Sequence, residues 1–452
     1  MKRHVLWSRY TTCKYKIVFI TVTILLNSFF GSFAFSQRYD ILLNDGHVID
    51  PANNINDVMD IAVKDGKIAR IEKNISTSGA EKVVDVSGYY VTPGLVDMHI
   101  VCFHTAPLDY VRSVIADIHC FPSGVTTCVD GGTSGADTFE EFKKIIDISR
   151  PRILAFINIS APGASRVKKD PALYNVESAV AMAKKYPDII VGFKAAHFQE
   201  IDDNSRDPWT SVEKALSMGR LSGLPVMFDF EPKPSRGGFP ERSYREFLLR
   251  RARPGDIVTH CYALRYPVIL KDGRLNPDVL SAQKHGITFD LGHAGRSFVY
   301  RAIVPAIEQG FLPDAISSAL FDITPSTVGI NLTNIMSKFL SMGVPFEDII
   351  RRTTVNPAQI INHTELGTLS VGANADIAVL EIIKGNFAYA GTSYRGKGGG
   401  KITGDKKIQC VMTLFGGEIV YDHPYGLSLP LWEDIPKDSE YWINPEYKQD
   451  WR

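Results

Sequence analysis

The sequence predicts an α/β fold: a (β/α)8 TIM barrel with a small composite β-sandwich domain formed from both chain ends. Three observations carry this expectation. Eight short hydrophobic β segments alternate with helix-like stretches between residues 93 and 362, the pattern of successive βα units around a parallel sheet. Blocks of short β segments flank that region on both sides. The middle segments end on polar residues, Asp130, Asn158, Lys194, Asp229, His260 and the loop at His293, and in a barrel the C-terminal strand ends are where site residues gather. A doubly wound sheet is the competing fold; the number of units and the polar strand ends favour the barrel.

The chain has 452 residues, room for a large barrel plus a smaller module. Lys+Arg and Asp+Glu are balanced at 50 each, so no charge asymmetry points to nucleic acid or to an anionic membrane surface. The first 36 residues differ from the rest. Lys2, Arg3, Arg9, Lys14 and Lys16 precede an apolar run from Ile17 to Phe30, and small residues follow before Gln37. This is the pattern of a secretory signal peptide; as an uncleaved anchor the run is short of the ~20 residues that span a bilayer. The mature protein is expected to be exported, periplasmic or extracellular, without membrane attachment. Cys102, Cys120, Cys128, Cys261 and Cys410 would remain, odd in number and lacking zinc-finger spacing, so buried thiols are expected rather than a disulfide frame.

In chain order, residues 37–92 form the first part of the sandwich. Tyr39–Leu43, Gly46–Asp50 and Asp60–Ile68 are alternating runs, and Asp65-Gly66 marks a tight hairpin. Residues 93–362 form the barrel. Its β segments are 95–101, 124–130, 152–159, 189–194, 225–230, 256–261, 287–291 and 315–320, with helical stretches such as 139–149 and 176–185 between them. Residues 363–425 complete the sandwich through the runs at 369–380 and 410–421. The tail, 426–452, is rich in Trp, Tyr, Pro and acidic residues; it is expected to pack on its own subunit or on a neighbour, which leaves a homo-oligomer open.

The chain is organised around Val91–Val101. This hydrophobic strand, entered through Pro93-Gly94, carries His99 at its far end, with Leu95, Asp97, His99 and Val101 expected on one face. A lone histidine there is more often a satisfied core group than a ligand. Thr92-Pro-Gly-Leu-Val-Asp-Met-His99, however, resembles the signature of the amidohydrolase superfamily, which continues to a second histidine where this chain has Val101. Gly124-Val-Thr-Thr127, Gly132-Thr-Ser-Gly-Ala-Asp137 and Gly310-Phe-Leu-Pro-Asp-Ala-Ile-Ser317 resemble the deacetylase-type metallohydrolases of that superfamily, the dihydroorotase/D-aminoacylase-like group. Gly372-Ala-Asn-Ala-Asp-Ile377 resembles its small β domain.

The resemblance implies a site and a reaction. His99, Lys194 and His260 match metal ligands, Lys194 as a lysine carboxylated on its amine. Asp229 stands near the fifth-strand histidine and would serve as ligand or base. Ala319 replaces the catalytic aspartate, Phe321 a histidine that follows it, and Asp322 lies on a different face. The implied cofactor is one tightly held divalent ion at most, expected to be zinc. Asp229 and His293 are the catalytic candidates, with His104 as a further one; His293, Arg296 and Asn158 are the substrate-binding candidates, and Arg296 suits a substrate carboxylate. The implied function is an exported metal-dependent amidohydrolase that hydrolyses amide (or ester) bonds of small acylated or cyclic amide substrates by metal-activated hydroxide. The alternative is a catalytically silent barrel that binds a small molecule, the outcome expected when Val101 and Ala319 have removed a ligand and the general base.

Overall fold

The computed structural model describes residues 39–103, 113–164, 170–198, 209–230, 241–321, 331–392 and 399–436. The expected signal peptide, His104, Asp322 and the end of the tail (437–452) lie outside the described residues.

Strands from both chain ends join one sheet of eight. It contains β1 (Tyr39–Asp50), β2 (Ile55–Lys64), β3 (Lys67–Glu72), β4 (Ala80–Asp85) and β5 (Tyr90–Pro93). The C-terminal part adds three strands, Ile377–Ala390, Lys401–Phe415 and Glu418–Asp422. Pro93, at the end of β5, pairs with Ile377, so the sheet is composite as expected. It is one continuous hydrogen-bonded sheet rather than two stacked ones. The Asp65-Gly66 hairpin has both residues at positive φ, 48° and 74°, the conformation a two-residue hairpin turn requires. It reaches the hairpin tip at Gly416–Gly417 at the other end of the sheet: Ala375 N–H donates to Gly66 O, and Gly417 N–H to Ala375 O. The sheet thus curls over its own apolar cluster of Val48, Ile61, Val63, Val91, Ile377, Val379 and Leu414.

The second sheet is parallel throughout. Its seven strands run in sequence order: β6 (Leu95–Ile100), β7 (Val125–Gly131), β8 (Arg152–Asn158), β9 (Ile190–Phe198), β10 (Val226–Phe230), β11 (Ile257–Val258) and β12 (Thr288–Phe289). The eighth segment expected at 315–320 forms no ladder. It is held at both sheet edges by single parallel bridges, Asp290 to Ala315 and Ile100 to Leu320. Val101 N–H donates to Leu320 O at 2.9 Å, and Leu291 N–H to Ala315 O at 3.0 Å. The reason it is not a regular strand is local: Ala319 sits at φ 45°, and Ser318 N–H is taken by the Asp97 carboxylate. Strand order, parallel pairing and these bridges give a curled sheet with its C-terminal strand ends on one rim. Among the described residues no helix is long and apolar enough to cross a membrane. The five expected thiols are buried.

The simple alternation along β6 does not hold to the end of the strand. Asp97 pairs with Cys128 but Ile100 with Asp130, so three steps on β6 face two on β7, a β-bulge. Up to Met98 the alternation is kept, Val96 and Met98 packing in one cluster with Met227 and Ile257 and Leu95 in the larger one. Beyond the bulge Ile100 packs with Leu95 in that larger cluster instead of with Val96 and Met98. The bulge re-aims the last residues of the strand, His99 among them.

Candidate active site at the strand ends

His99, Lys194, Asp229 and His260 converge at the rim, and all four are buried. Lys194 Nζ is 3.3 Å from His99 Nε2 and 3.0 Å from Met227 Sδ, which forms part of the floor. The His99 and His260 rings lie 5.2 Å apart. His260 Nε2 is 3.4 Å from Asp229 Oδ2, and Asp229 Oδ1 accepts from Arg265 Nη2 at 2.9 Å. The close approach of His99 and Lys194 depends on the turn after β7. A Cβ on Gly131 would lie 2.3 Å from His99 Cδ2, and one on Gly132 (φ 84°) 2.3 Å from Lys194 Cβ.

Beneath the imidazoles lies a second layer of polar groups. His99 Nδ1 is 2.9 Å from Thr259 Oγ1, and Thr259 Oγ1 donates to Asp290 Oδ2 at 2.6 Å. His260 Nδ1 is 2.5 Å from Gly292 O. In both rings Nδ1 is engaged and Nε2 faces the rim. His260 (φ 58°), Ala294 (φ 42°) and Ala319 (φ 45°) all occupy the left-handed region, each at a cost of about 1–2 kcal/mol for a residue with a Cβ. Strain of this kind collects where a site fixes the backbone.

Burial dominates the electrostatics. It lowers Lys194 to about 8, against the pull of Asp229 and Asp290. Burial and then the Lys194 charge bring His99 down to about 4. Asp97 is raised to about 7 by burial, against its Ser318 hydrogen bond. Asp290 is the exception. Burial works to raise it, but the contacts with His99, Ser317 and Thr259 outweigh burial and keep it below the usual carboxylate value.

The remaining sequence candidates sit elsewhere in the hydrogen-bond network. Both ends of the Asn158 amide are spent on backbone: Nδ2 donates to Gly132 O at 2.9 Å and Oδ1 accepts from Ser160 N at 3.0 Å. His293 is fully buried. Its Nδ1 lies 2.8 Å from Ala294 O and its Nε2 2.8 Å from Lys338 Nζ, while its ring stacks on Phe298 at 4.5 Å. With both nitrogens engaged it lacks the free lone pair a base requires. Arg296 is exposed. Sequence reasoning missed Thr259, Arg265, Asp290 and Lys338. Asp290 ends its β segment as Asp130 and Asp229 end theirs, so the same rule pointed to it; Arg265 and Lys338 carry no comparable signal.

The donor set limits what a metal could find here. Among the described residues no three His, Cys, Asp or Glu side chains are grouped closely enough to hold an ion by themselves. Val101 and Ala319 offer no donor, so a two-ion centre does not fit. A single ion fits in donor chemistry: Nε2 of His260, a carboxylate oxygen of Asp229 and, once carboxylated, Lys194 would hold it, with His99 Nε2 alongside. Each imidazole already gives its other nitrogen to a neighbouring oxygen, the usual arrangement around a metal-bound histidine.

The comparisons agree with this architecture. A model of the amidohydrolase family matches residues 334–421. A deacetylase of Brucella anthropi is 31% identical over 335 residues, 71% of this chain and 78% of its own length. One from Enterococcus faecalis is 26% identical over 85% of this chain and all of its own. Among solved structures, an adenine deaminase superposes with a TM-score of 0.74 at 25% identity, and a dihydroorotase with 0.70 at 26%; each match covers 85% of this chain and 100% of the other. The strand-end histidines and lysine of this chain are therefore set in the frame of a known group of enzymes that hydrolyse carbon–nitrogen bonds other than peptide bonds, and the chain belongs to the amidohydrolase superfamily.

Proposed function

We propose that the chain is an exported, metal-dependent amidohydrolase that cleaves the amide (or ester) bond of small acylated or cyclic amide substrates, on a (β/α)8 barrel whose eighth stave is 315–320. One observation carries the reading. The two rim imidazoles are tied down through Nδ1 and leave Nε2 directed at Lys194 and Asp229, which is how ligands are held ready for an ion. A divalent ion bound there would acidify water and polarise a substrate carbonyl. The chain's own groups would do the rest. Lys194, lowered to about 8, has enough free amine near neutrality to add carbon dioxide, forming an N–C bond and releasing a proton. Arg265 holds one oxygen of Asp229, and the other faces His260 Nε2, where it would serve as ligand or proton acceptor.

The test is elemental analysis of full-length protein made with zinc and bicarbonate, followed by assay on a panel of N-acyl amino acids and cyclic amides. One ion per chain and turnover that Lys194→Ala abolishes are expected. Protein that takes up no ion and cleaves nothing contradicts the reading.

A silent ligand-binding barrel is the second reading, and Ala319 favours it. A methyl stands where the resemblance implies the general base, and His293, with both nitrogens occupied, is not a substitute. Hydrolysis gained by a Val101→His/Ala319→Asp double variant from an inactive parent would favour this reading; turnover by the parent would exclude it.

A further inference from the structure

Asp290 lies under the site, fully buried, and accepts two hydroxyl protons, from Thr259 Oγ1 on Oδ2 and from Ser317 Oγ on Oδ1, both at 2.6 Å. A hydroxyl has a single proton to give. Thr259 has given its proton to Asp290, so toward His99 Nδ1, 2.9 Å away, its oxygen acts only as acceptor. His99 must then carry its proton on Nδ1 and leave Nε2 bare.

The other arm runs through Ser317. Its proton also goes to Asp290, and its oxygen accepts from Gly292 N–H at 3.1 Å. The next amide, His293 N–H, donates to Ser317 O at 3.1 Å. Both peptide planes flanking Gly292 are thereby pinned to Ser317. The Gly292 carbonyl belongs to the second of these planes, and it faces His260 Nδ1. A carbonyl only accepts, so this imidazole too is protonated on Nδ1.

We propose that Asp290 is a positioning residue of the site: it fixes the tautomer of His99, through Thr259 and by the direct approach of its Oδ2 to His99 Nδ1 at 3.5 Å, and it steadies through Ser317 Oγ the turn whose Gly292 carbonyl aims His260. The tautomers follow from the hydrogen bonds; their bearing on metal binding and hydrolysis rests on the function proposed above. Residues that orient ligands in this way typically contribute about 10–100-fold to metal affinity or activity.

The experiment is two-bond proton–nitrogen NMR on full-length protein labelled at histidine, with His99→Gln and His260→Gln assigning the signals. The wild type should show both imidazoles protonated on Nδ1. Thr259→Val leaves the direct approach of Asp290 Oδ2 to His99 Nδ1, so it should weaken the Nδ1 preference of His99 and let a measurable Nε2-protonated fraction appear, while His260 is unchanged. Ser317→Ala removes the hydroxyl but keeps the backbone bond from His293 N–H to Ser317 O, so it should shift the His260 signals without changing that ring's tautomer and leave His99 on Nδ1. The near-isosteric Asp290→Asn should bring His99 to a mixture of tautomers and shift the His260 signals as well; if it does not fold, the separate responses of the two rings to the other two variants decide. A wild-type His99 protonated on Nε2, or both rings responding alike to each single variant, overturns the proposal. The expected pattern in a protein that binds no metal and cleaves nothing would leave the tautomers standing and sink the proposed function instead.

Discussion

Replacing Gly131 by alanine tests how tightly the rim is fitted. The new Cβ would lie 2.3 Å from His99 Cδ2 and 2.6 Å from Nε2. Carbon atoms rest at about 3.5–4.0 Å, so the ring must retreat by more than ~1 Å. It cannot do so freely, because Nδ1 is tied to Thr259 and the ring packs near that of His260. Overpacking of this kind costs about 1–3 kcal/mol. A displacement of about 1 Å at a reacting group can lower turnover by about 100-fold. Gly94→Ala is the control: its Cβ would meet Thr126 Oγ1 at 2.2 Å, in the entry turn rather than at the rim. Chemical denaturation and turnover should therefore separate. Both variants lose stability, but only Gly131→Ala loses metal affinity and activity beyond what its unfolded fraction explains. Equal activity in the two at matched stability would show that the rim tolerates the added methyl.

Two further outcomes follow from contacts outside the rim. Burial lowers Lys338 from 10.5 to about 7. Between those values the unfolded chain holds a proton that the native chain has released, so native stability rises with pH across that window, and the penalty is present in full below it. Lys338→Met should remove up to about 1.4 kcal/mol per pH unit of this slope; parallel stability curves for the two proteins from pH 7 to 10 would contradict it. Asp376 accepts from Arg152 Nη1 at 2.7 Å and from Gly416 N at 2.9 Å, joining β8 to the composite sheet. Asp376→Ala should cost about 1–3 kcal/mol in urea denaturation while leaving the His99 ring signals unchanged, and a shift in those signals would show that the two sheets are coupled through this contact.

Legibility in the sequence followed distance along the chain. The parallel strands and the hairpin at Asp65-Gly66 are written in local alternation and turn chemistry, and strand ends announced His99, Lys194, Asp229 and His260 because each closes its own hydrophobic run. Alternation misled at β6, where the bulge between Asp97 and Ile100 changes the face without any sign in the residue types. It also misled at 315–320, where a left-handed Ala319 interrupts what reads as a strand. Asn158 and His293 were legible as polar groups at strand ends. What they bond to was not: Gly132, Ser160, Ala294 and Lys338 are joined to them through space or by backbone geometry. Arg265 reaches Asp229 from a loop 36 positions away, and nothing in its local sequence marks it.

The proposed function requires the rim to hold one cation between His260, Asp229 and a carboxylated Lys194. Anomalous diffraction from crystals of the full-length protein grown with zinc and bicarbonate measures this directly. A single peak bonded to His260 Nε2 and an Asp229 oxygen is expected, with density extending beyond Lys194 Nζ. No peak, and an unextended Lys194 still bonded to His99 Nε2, would contradict it.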